Sequence, residues 1–250
     1  MSDLNREFEG RVAIVTGAAG GVGGAVAKLL ADRGASVVAE DVKAEVEELE
    51  AYSDRIVTLT GDLAEEATAT RAVDLALKHF GSLDILINNA AHIMFKSVAD
   101  MSLEDWDSIL NVNLRGTFLH SREAMKAMTD AKHGSIVNVG SYACHVAFPT
   151  IGAYAAAKGA IAQLTRVLAL EGAEHGIRAN VVAPGDIETG ILDGIVPDGR
   201  NFLAEHGESS PIGRAAQPEE IAEVIAFAAC DRASYMTGSI VMADGGYTSV

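Results

Sequence analysis

Cysteine is nearly absent from this chain: Cys144 and Cys230 are its only two, among 250 residues. Two thiols cannot build a disulfide framework, so a core must hold the fold together. Cys144 reads as a small apolar filler. Lys and Arg are also scarce, 19 against 35 Asp and Glu, for a formal charge of −16. No basic run occurs, which argues against nucleic acid or an anionic membrane as partner. No apolar run reaches membrane length, and no charged-then-apolar leader opens the chain. No histidine pair has metal-ligand spacing such as H-E-x-x-H, and no cysteine pair supports zinc, so no metal is expected. Internal repeats, low-complexity tracts and domain linkers are missing too. What remains is 49% apolar residues, enough for a large core and compatible with one α/β domain over residues 1–250. Together these features predict a soluble cytoplasmic protein.

Short β-branched runs alternate with longer helical patterns. Strands are expected at 11–16, 36–40, 55–60, 83–88, 135–140, 178–182 and 239–242. Helices are expected at 22–33, 65–80, 103–128, 154–175 and 218–229, the third capped at Ser102 and Asp105. The strands are almost continuously apolar, as parallel strands covered on both faces should be. Such alternation implies a doubly wound sheet with right-handed crossovers. One long irregular stretch, 186–217, is rich in Gly and Pro, and a loop of that length is expected to act as a substrate lid.

Glycines cluster where a dinucleotide site needs them. Thr16-Gly17-Ala18-Ala19-Gly20-Gly21-Val22-Gly23 follows the first strand and opens the first helix. Gly17 can make the tight turn, while Gly21 and Gly23 let backbone amides approach a pyrophosphate. The spacing is wider than G-x-G-x-x-G, and the Gly-Lys-Ser/Thr ending of a triphosphate loop is missing. Asp41 ends the second strand, 18 residues beyond Gly23. A carboxylate there accepts hydrogen bonds from adenosine ribose hydroxyls and repels a 2′-phosphate, which predicts NAD over NADP. Glu40 is its neighbour, and strand alternation turns one of the two away. Asp41 is the expected ligand.

Tyr154 and Lys158 lie four residues apart in a small-residue stretch, with Ser141 thirteen residues upstream at a strand end. Residues i and i+4 share a helix face. An ammonium beside a phenol is expected to lower its pKa from about 10 toward the working range. The Ser hydroxyl could polarise an oxygen held between it and the Tyr. His92, Met94, Tyr142, Cys144, His145 and Phe148 are candidates for shaping the substrate mouth.

These pieces, with Gly61-Asp62-Leu63, Asn88-Asn89-Ala90, Asn113, Pro184-Gly185 and the closing Asp244-Gly245-Gly246, resemble the short-chain dehydrogenase/reductase family from end to end. The resemblance implies a Rossmann-like doubly wound sheet of seven mostly parallel strands with helices on both faces, and a homotetramer or dimer. It implies Tyr154 as general acid/base, Lys158 lowering the Tyr pKa and holding the nicotinamide ribose, and Ser141 on the substrate oxygen. It implies Asn113 anchoring a water in a proton relay with Lys158. For NAD it implies contacts from Gly17, Gly21, Val22, Gly23, Asp41, Asp62, Leu63, Asn89, Tyr154, Lys158, Ile187 and Thr189. The sequence departs from the family at Ala91, where Gly is usual, so a methyl narrows the cofactor side or requires negative φ. The acidic pair Asp186 and Glu188 is a second oddity without an evident reason.

The implied activity is NAD-dependent hydride transfer between a secondary alcohol or ketone and nicotinamide. Cyclic, aromatic and terpenoid alcohols, sugars and hydroxysteroids all stay open. Only Arg200 and Arg214 supply cations to the stretch 191–214, which disfavours a large anionic substrate. The alternatives are a 3-oxoacyl-[acyl-carrier-protein] reductase-like enzyme, which should select NADPH and show a basic docking surface, and a non-catalytic dinucleotide-binding regulator.

Overall fold

The computed structural model describes residues 6–249. Seven parallel strands form one sheet in the order β3-β2-β1-β4-β5-β6-β7. They are β1 (Val12–Thr16), β2 (Ser36–Asp41), β3 (Ile56–Thr60), β4 (Ile85–Asn88), β5 (Gly134–Val139), β6 (Ile177–Pro184) and β7 (Ile240–Ala243). The helices are α1 (Gly21–Asp32), α2 (Glu66–Leu75), α3 (Leu103–Leu110), α4 (Thr117–Ala131), α5 (Gly152–Gly172), α6 (Gly199–Gly207) and α7 (Pro218–Ala229). This is the doubly wound Rossmann-like arrangement expected from the alternating runs.

Side chains of a strand point alternately to the two faces, and the sheet is covered on both. Ala13 and Val15 of β1 therefore join a core with α1 and α7, including Val26, Leu30, Ile221 and Ile225. Val12 and Ile14 join the opposite core, with Ala72 of α2, Met128 of α4 and Leu168 of α5. Between β4, β5 and the helices over them runs a buried polar chain. Asn88 donates to Asn138 at 2.8 Å and to Ser121 at 3.0 Å, and Asn138 donates to Thr165 at 2.8 Å. Each buried amide donor is satisfied there, as a low-dielectric interior requires.

Two expectations are refined. The helix expected at 103–128 starts with the anticipated Ser102–Asp105 capping box, but a π-helical turn over Asn111–Gly116 separates α3 from α4. The stretch 186–217 is not wholly irregular. It contains a short 3₁₀ turn at Gly190–Leu192 and the helix α6. Its two ends are pinned together, since Ala216 donates to the Asp186 carbonyl at 2.9 Å and Glu188 to the Ala216 carbonyl at 3.0 Å.

Strand order reverses between β1 and β4. The crossovers leave that point on opposite faces, which opens a crevice at the carboxyl ends of the strands. The glycine loop follows β1, Asn89 follows β4, Ser141 follows β5 and Asp186 follows β6.

Candidate active site

A cleft of about 1160 Å³ occupies that crevice. Its walls include Gly17, Gly21, Val22, Asp41, Asp62, Leu63 and Asn89 at one end, and Ser141, Tyr154, Lys158, Ile187 and Thr189 further along. The sheet thus brings almost all of the sequence-expected residues to one continuous surface. A second cavity of about 550 Å³ lies at the opposite ends of the strands, around Arg11, Asp84 and Arg178. Its charges are already matched: Arg11 pairs with Asp84 and Asp231, and Arg178 donates to the carbonyls of Ala228, Ala229, Cys230 and Met236.

Gly17 has φ +68°, and a Cβ on it would stand 2.7 Å from the Ala90 Cα. Only glycine fits a left-handed turn this close to another backbone. Gly23 does not line the cleft. A Cβ there would lie 2.1 Å from the Gly17 carbonyl oxygen and 2.5 Å from Asn89 Nδ2. Its expected role therefore shifts from approaching a ligand to letting α1 pack under the loop. Asn89 fastens the same loop by donating Nδ2 to the carbonyls of Thr16 at 3.0 Å and Gly17 at 3.2 Å.

The two carboxylates ending β2 separate as alternation requires. Glu40 turns inward, 1% exposed, and its carboxylate meets His120 Nε2 at 2.9 Å. Asp41 turns to the glycine loop, where it accepts from the Ala19 amide at 2.9 Å and the Lys43 amide at 3.0 Å. These contacts fix its carboxylate at the cleft wall. Ala91 also lines the cleft and keeps negative φ, since Lys132, Thr150 and Asp198 alone among the described non-glycine residues are left-handed.

Tyr154 stands in the first turn of α5, half-buried, with Lys158 one turn on. Lys158 is only 2% exposed. Its Nζ donates to the Val139 carbonyl at 2.7 Å and lies 5.5 Å from the Tyr154 ring centroid. This corrects the expected direction of the phenol's shift. Burial dominates and pushes Tyr154 up to about 12, opposed by the Ser141 hydroxyl, which favours the phenolate. Burial also lowers Lys158 to about 8. The ammonium sits over the ring and bonds a carbonyl, so it does not deliver the lowering that i,i+4 spacing alone predicts. Ser141 is itself held by β5 and accepts from the Ala143 amide at 3.1 Å.

Asn113 lies behind the cleft wall, fully buried in the π turn. Its Nδ2 donates to the Ile109 carbonyl at 2.9 Å and the His92 carbonyl at 2.7 Å. The side chain thereby takes the carbonyl that a regular helix would give to the Asn113 amide, which accounts for the wider turn. Asn113 Oδ1 is buried without a protein partner. A buried acceptor of this kind calls for a bound water.

Of the residues expected around the substrate mouth, His92, Tyr142 and Phe148 line the cleft, whereas Met94, Cys144 and His145 do not. Cys144 instead donates its thiol to the Lys158 carbonyl at 3.2 Å, and burial raises its pKa. Three cleft-lining candidates escaped the sequence reading, Phe95, Phe202 and His206, and Tyr247 packs against Tyr142 beside them. Phe202 and His206 are i and i+4 on α6, a spacing that was available as a signal had 199–207 been read as a helix. Among the described residues no three His, Cys, Asp or Glu come close enough to hold a metal ion. No helix there is long and apolar enough to cross a membrane.

One crevice at the strand-order reversal thus joins a glycine turn to a Ser, a Tyr and a Lys on a shared wall. A family model described as enoyl-(acyl carrier protein) reductase matches residues 17–248. A cis-4-hydroxycyclohexanecarboxylate dehydrogenase of Sinomonas cyclohexanicum is 40% identical, over 99% of this chain and 100% of its own length. A cyclohexanol dehydrogenase of an Acinetobacter species is 37% identical over 98% of each chain. A 3-oxoacyl-[acyl-carrier-protein] reductase of Thermotoga maritima is 35% identical over 96% of this chain and 98% of its own. The chain belongs to the short-chain dehydrogenase/reductase family.

Proposed function

We propose that this protein is an NAD-dependent dehydrogenase interconverting a secondary alcohol and a ketone. The observation that carries the reading is the shared cleft: Ser141, Tyr154 and Lys158 line the same surface as the glycine loop and Asp41. The residues fit a dinucleotide because the cradle around Gly17 is one that a side chain would fill. Gly17, Gly21, Val22, Asp62, Leu63, Asn89, Ile187 and Thr189 would hold it, with Gly23 supporting the loop from below. Asp41 would accept from ribose hydroxyls and repel a 2′-phosphate, which favours NAD. When bound, the nicotinamide supplies the acceptor or donor of the carbinol hydride. The chain's own part is proton chemistry and positioning. Tyr154 takes the hydroxyl proton in oxidation and returns it in reduction. Ser141 hydrogen-bonds the reacting oxygen, and Lys158 holds the nicotinamide ribose. A water on Asn113 Oδ1 would extend the proton path. The stretch 186–217 serves as the substrate lid, and the protein works in the cytoplasm as a homotetramer or dimer.

Absorbance at the NADH band, with NAD⁺ and then NADP⁺ against a panel of secondary alcohols, tests this reading. Turnover with NAD⁺ supports it; preference for NADP⁺ removes the cofactor assignment. Saturable NAD⁺ binding with no turnover across the panel would favour a non-catalytic binder. The reductase-like alternative rests on the Thermotoga relative, but an acyl carrier protein is acidic and this chain is too, at −16. Like charges oppose that docking.

A further inference from the structure

Asp186 belongs to no part of the proton or cofactor chemistry above, yet both of its carboxylate oxygens are engaged by side chains from separate elements of the cleft. It sits directly after β6 and Gly185, at the base of the lid, with a side chain only 10% exposed. One oxygen accepts from the Tyr142 hydroxyl at 3.0 Å. The other meets His206 Nδ1 of α6 at 2.8 Å. Tyr142 is the residue after Ser141, so a single carboxylate joins the catalytic wall to the lid helix. Burial and the Asp186 charge raise the Tyr142 pKa, so its hydroxyl remains a donor at every working pH.

The two bonds close a ring of aromatic faces. Tyr142 packs on Phe148 at 4.9 Å and on Tyr247 at 5.2 Å between ring centroids. The His206 ring stacks near Phe202 at 6.1 Å and meets Phe148 edge-on at 6.0 Å. Phe95 reaches Phe202 from the opposite rim at 6.4 Å. The closing Asp244-Gly245-Gly246 turn braces the lid from behind: Ile212 donates to the Gly245 carbonyl at 3.2 Å. Phe95, Tyr142, Phe148, Phe202 and His206 line the cleft itself. Aromatic walls of this kind bury a compact apolar ring well and offer few polar partners to a polyol.

We propose that Asp186 is a positioning residue that clamps the lid through Tyr142 and His206, and so sets the cleft's selectivity for alcohols borne on a compact apolar ring. The specificity half of this inference rests on the dehydrogenase reading; the clamp half does not. With Asp186 replaced by Ala, Tyr142 and His206 lose their common acceptor and α6 is free to move away. The lid holds two trypsin sites, Arg200 and Arg214, so its opening can be read without any turnover.

The experiment compares the full-length protein with Asp186→Ala and Asp186→Asn. Tryptic cleavage within 200–214 should be about tenfold faster in Asp186→Ala, because local opening governs cleavage. The ratio of kcat/KM for cyclohexanol over hexan-2-ol, measured with NAD⁺, should fall about tenfold, mainly through KM for cyclohexanol. The Kd for NAD⁺ should stay within about twofold, which separates lid opening from general misfolding. Asp186→Asn keeps an acceptor oxygen for Tyr142 and a hydrogen-bonding amide opposite His206 Nδ1, so it should stay within about threefold of the wild-type ratio. Unchanged cleavage in Asp186→Ala would overturn the clamp. An unchanged ratio would overturn the specificity role, and Asn behaving like Ala would show that charge rather than bridging matters. If the wild-type protein oxidises neither of these two but turns over another secondary alcohol of the panel, the specificity claim falls alone; if it turns over none, the dehydrogenase reading falls with it, and in either case the cleavage rates still decide the clamp.

Discussion

A phenol pushed up to about 12 by burial is protonated at neutral pH, so in the cofactor-free protein Tyr154 stands ready as an acid and must be activated as a base. The sign for catalysis follows. Ketone reduction should hold a plateau through neutral pH and fall only on the alkaline side, while alcohol oxidation should climb with pH as phenolate forms. Initial rates in both directions from pH about 6 to about 10 check this. Ser141 lowers the Tyr154 pKa, so Ser141→Ala should move the oxidation limb further alkaline as well as slow it. Tyr154→Phe should cut turnover by about 10³-fold, within the range for loss of a general acid/base, and leave the NAD⁺ Kd within a few fold. Lys158 carries a linked effect on stability. Its pKa falls to about 8 in the folded protein against about 10.4 unfolded, so between these values the unfolded chain binds more protons. The folded state should therefore gain about 1–3 kcal/mol from this group as pH rises through that window. Urea titrations of wild type and Lys158→Met at the two ends of the window should show the gain in the first and not in the second.

The glycine loop shows at the scale of an element how packing can matter more than contact. A Cβ on Gly23 would press within 2.1 Å of the Gly17 carbonyl oxygen, which is backbone and cannot swing aside as the end of a flexible side chain could. Gly23→Ala should cost about 1–3 kcal/mol from overpacking. Thermal unfolding should register this as a Tm lower by roughly 2–12 °C for a chain of this size. NAD⁺ affinity should fall with it, because α1 and the loop can no longer close together. That glycine was legible in the sequence as part of a dinucleotide loop, but its task was not, because spacing does not reveal which neighbour lies behind it. The strands were legible for a simpler reason: runs such as Val12-Ala13-Ile14-Val15 are buried on both faces and leave no other reading. Other elements depended on contacts distant in sequence. The π turn at Asn111–Gly116 is set by an Asn113 side chain that also reaches His92, 21 residues away. Helix α6 hid in a Gly- and Pro-rich stretch because its Phe202 and His206 find their partners, Phe95, Phe148 and Asp186, only in the folded cleft. The Tyr154 shift was misjudged in the same way, since i,i+4 spacing brings Lys158 near but says nothing of the Val139 carbonyl that claims its ammonium.

Across the whole molecule, apolar surface remains where the two cores end. Phe118 on α4 is 44% exposed, and Val167 and Leu170 on α5 are 41% and 80% exposed. Val167 and Leu170 are three residues apart on one helix face, and α5 also carries Tyr154 and Lys158. An apolar stripe on α5 has a stabilising use if a second copy covers it, in keeping with the homotetramer or dimer proposed above. Charge does not forbid such pairing. The −16 net charge is spread over many surface carboxylates, and a desolvated apolar centre with a charged rim is ordinary interface anatomy. Leu170→Glu would place a carboxylate at the centre of that face, where a partner would have to bury it. Light scattering after size exclusion should then show wild type at a multiple of 26.0 kDa and the variant at a smaller multiple. Because α5 carries Tyr154 and Lys158, the residues proposed above to move the proton, the dissociated variant should also lose activity on dilution more steeply than wild type, while its NAD⁺ Kd changes little. A variant that keeps the wild-type mass would show that the α5 stripe is solvent-facing and that any assembly uses another surface.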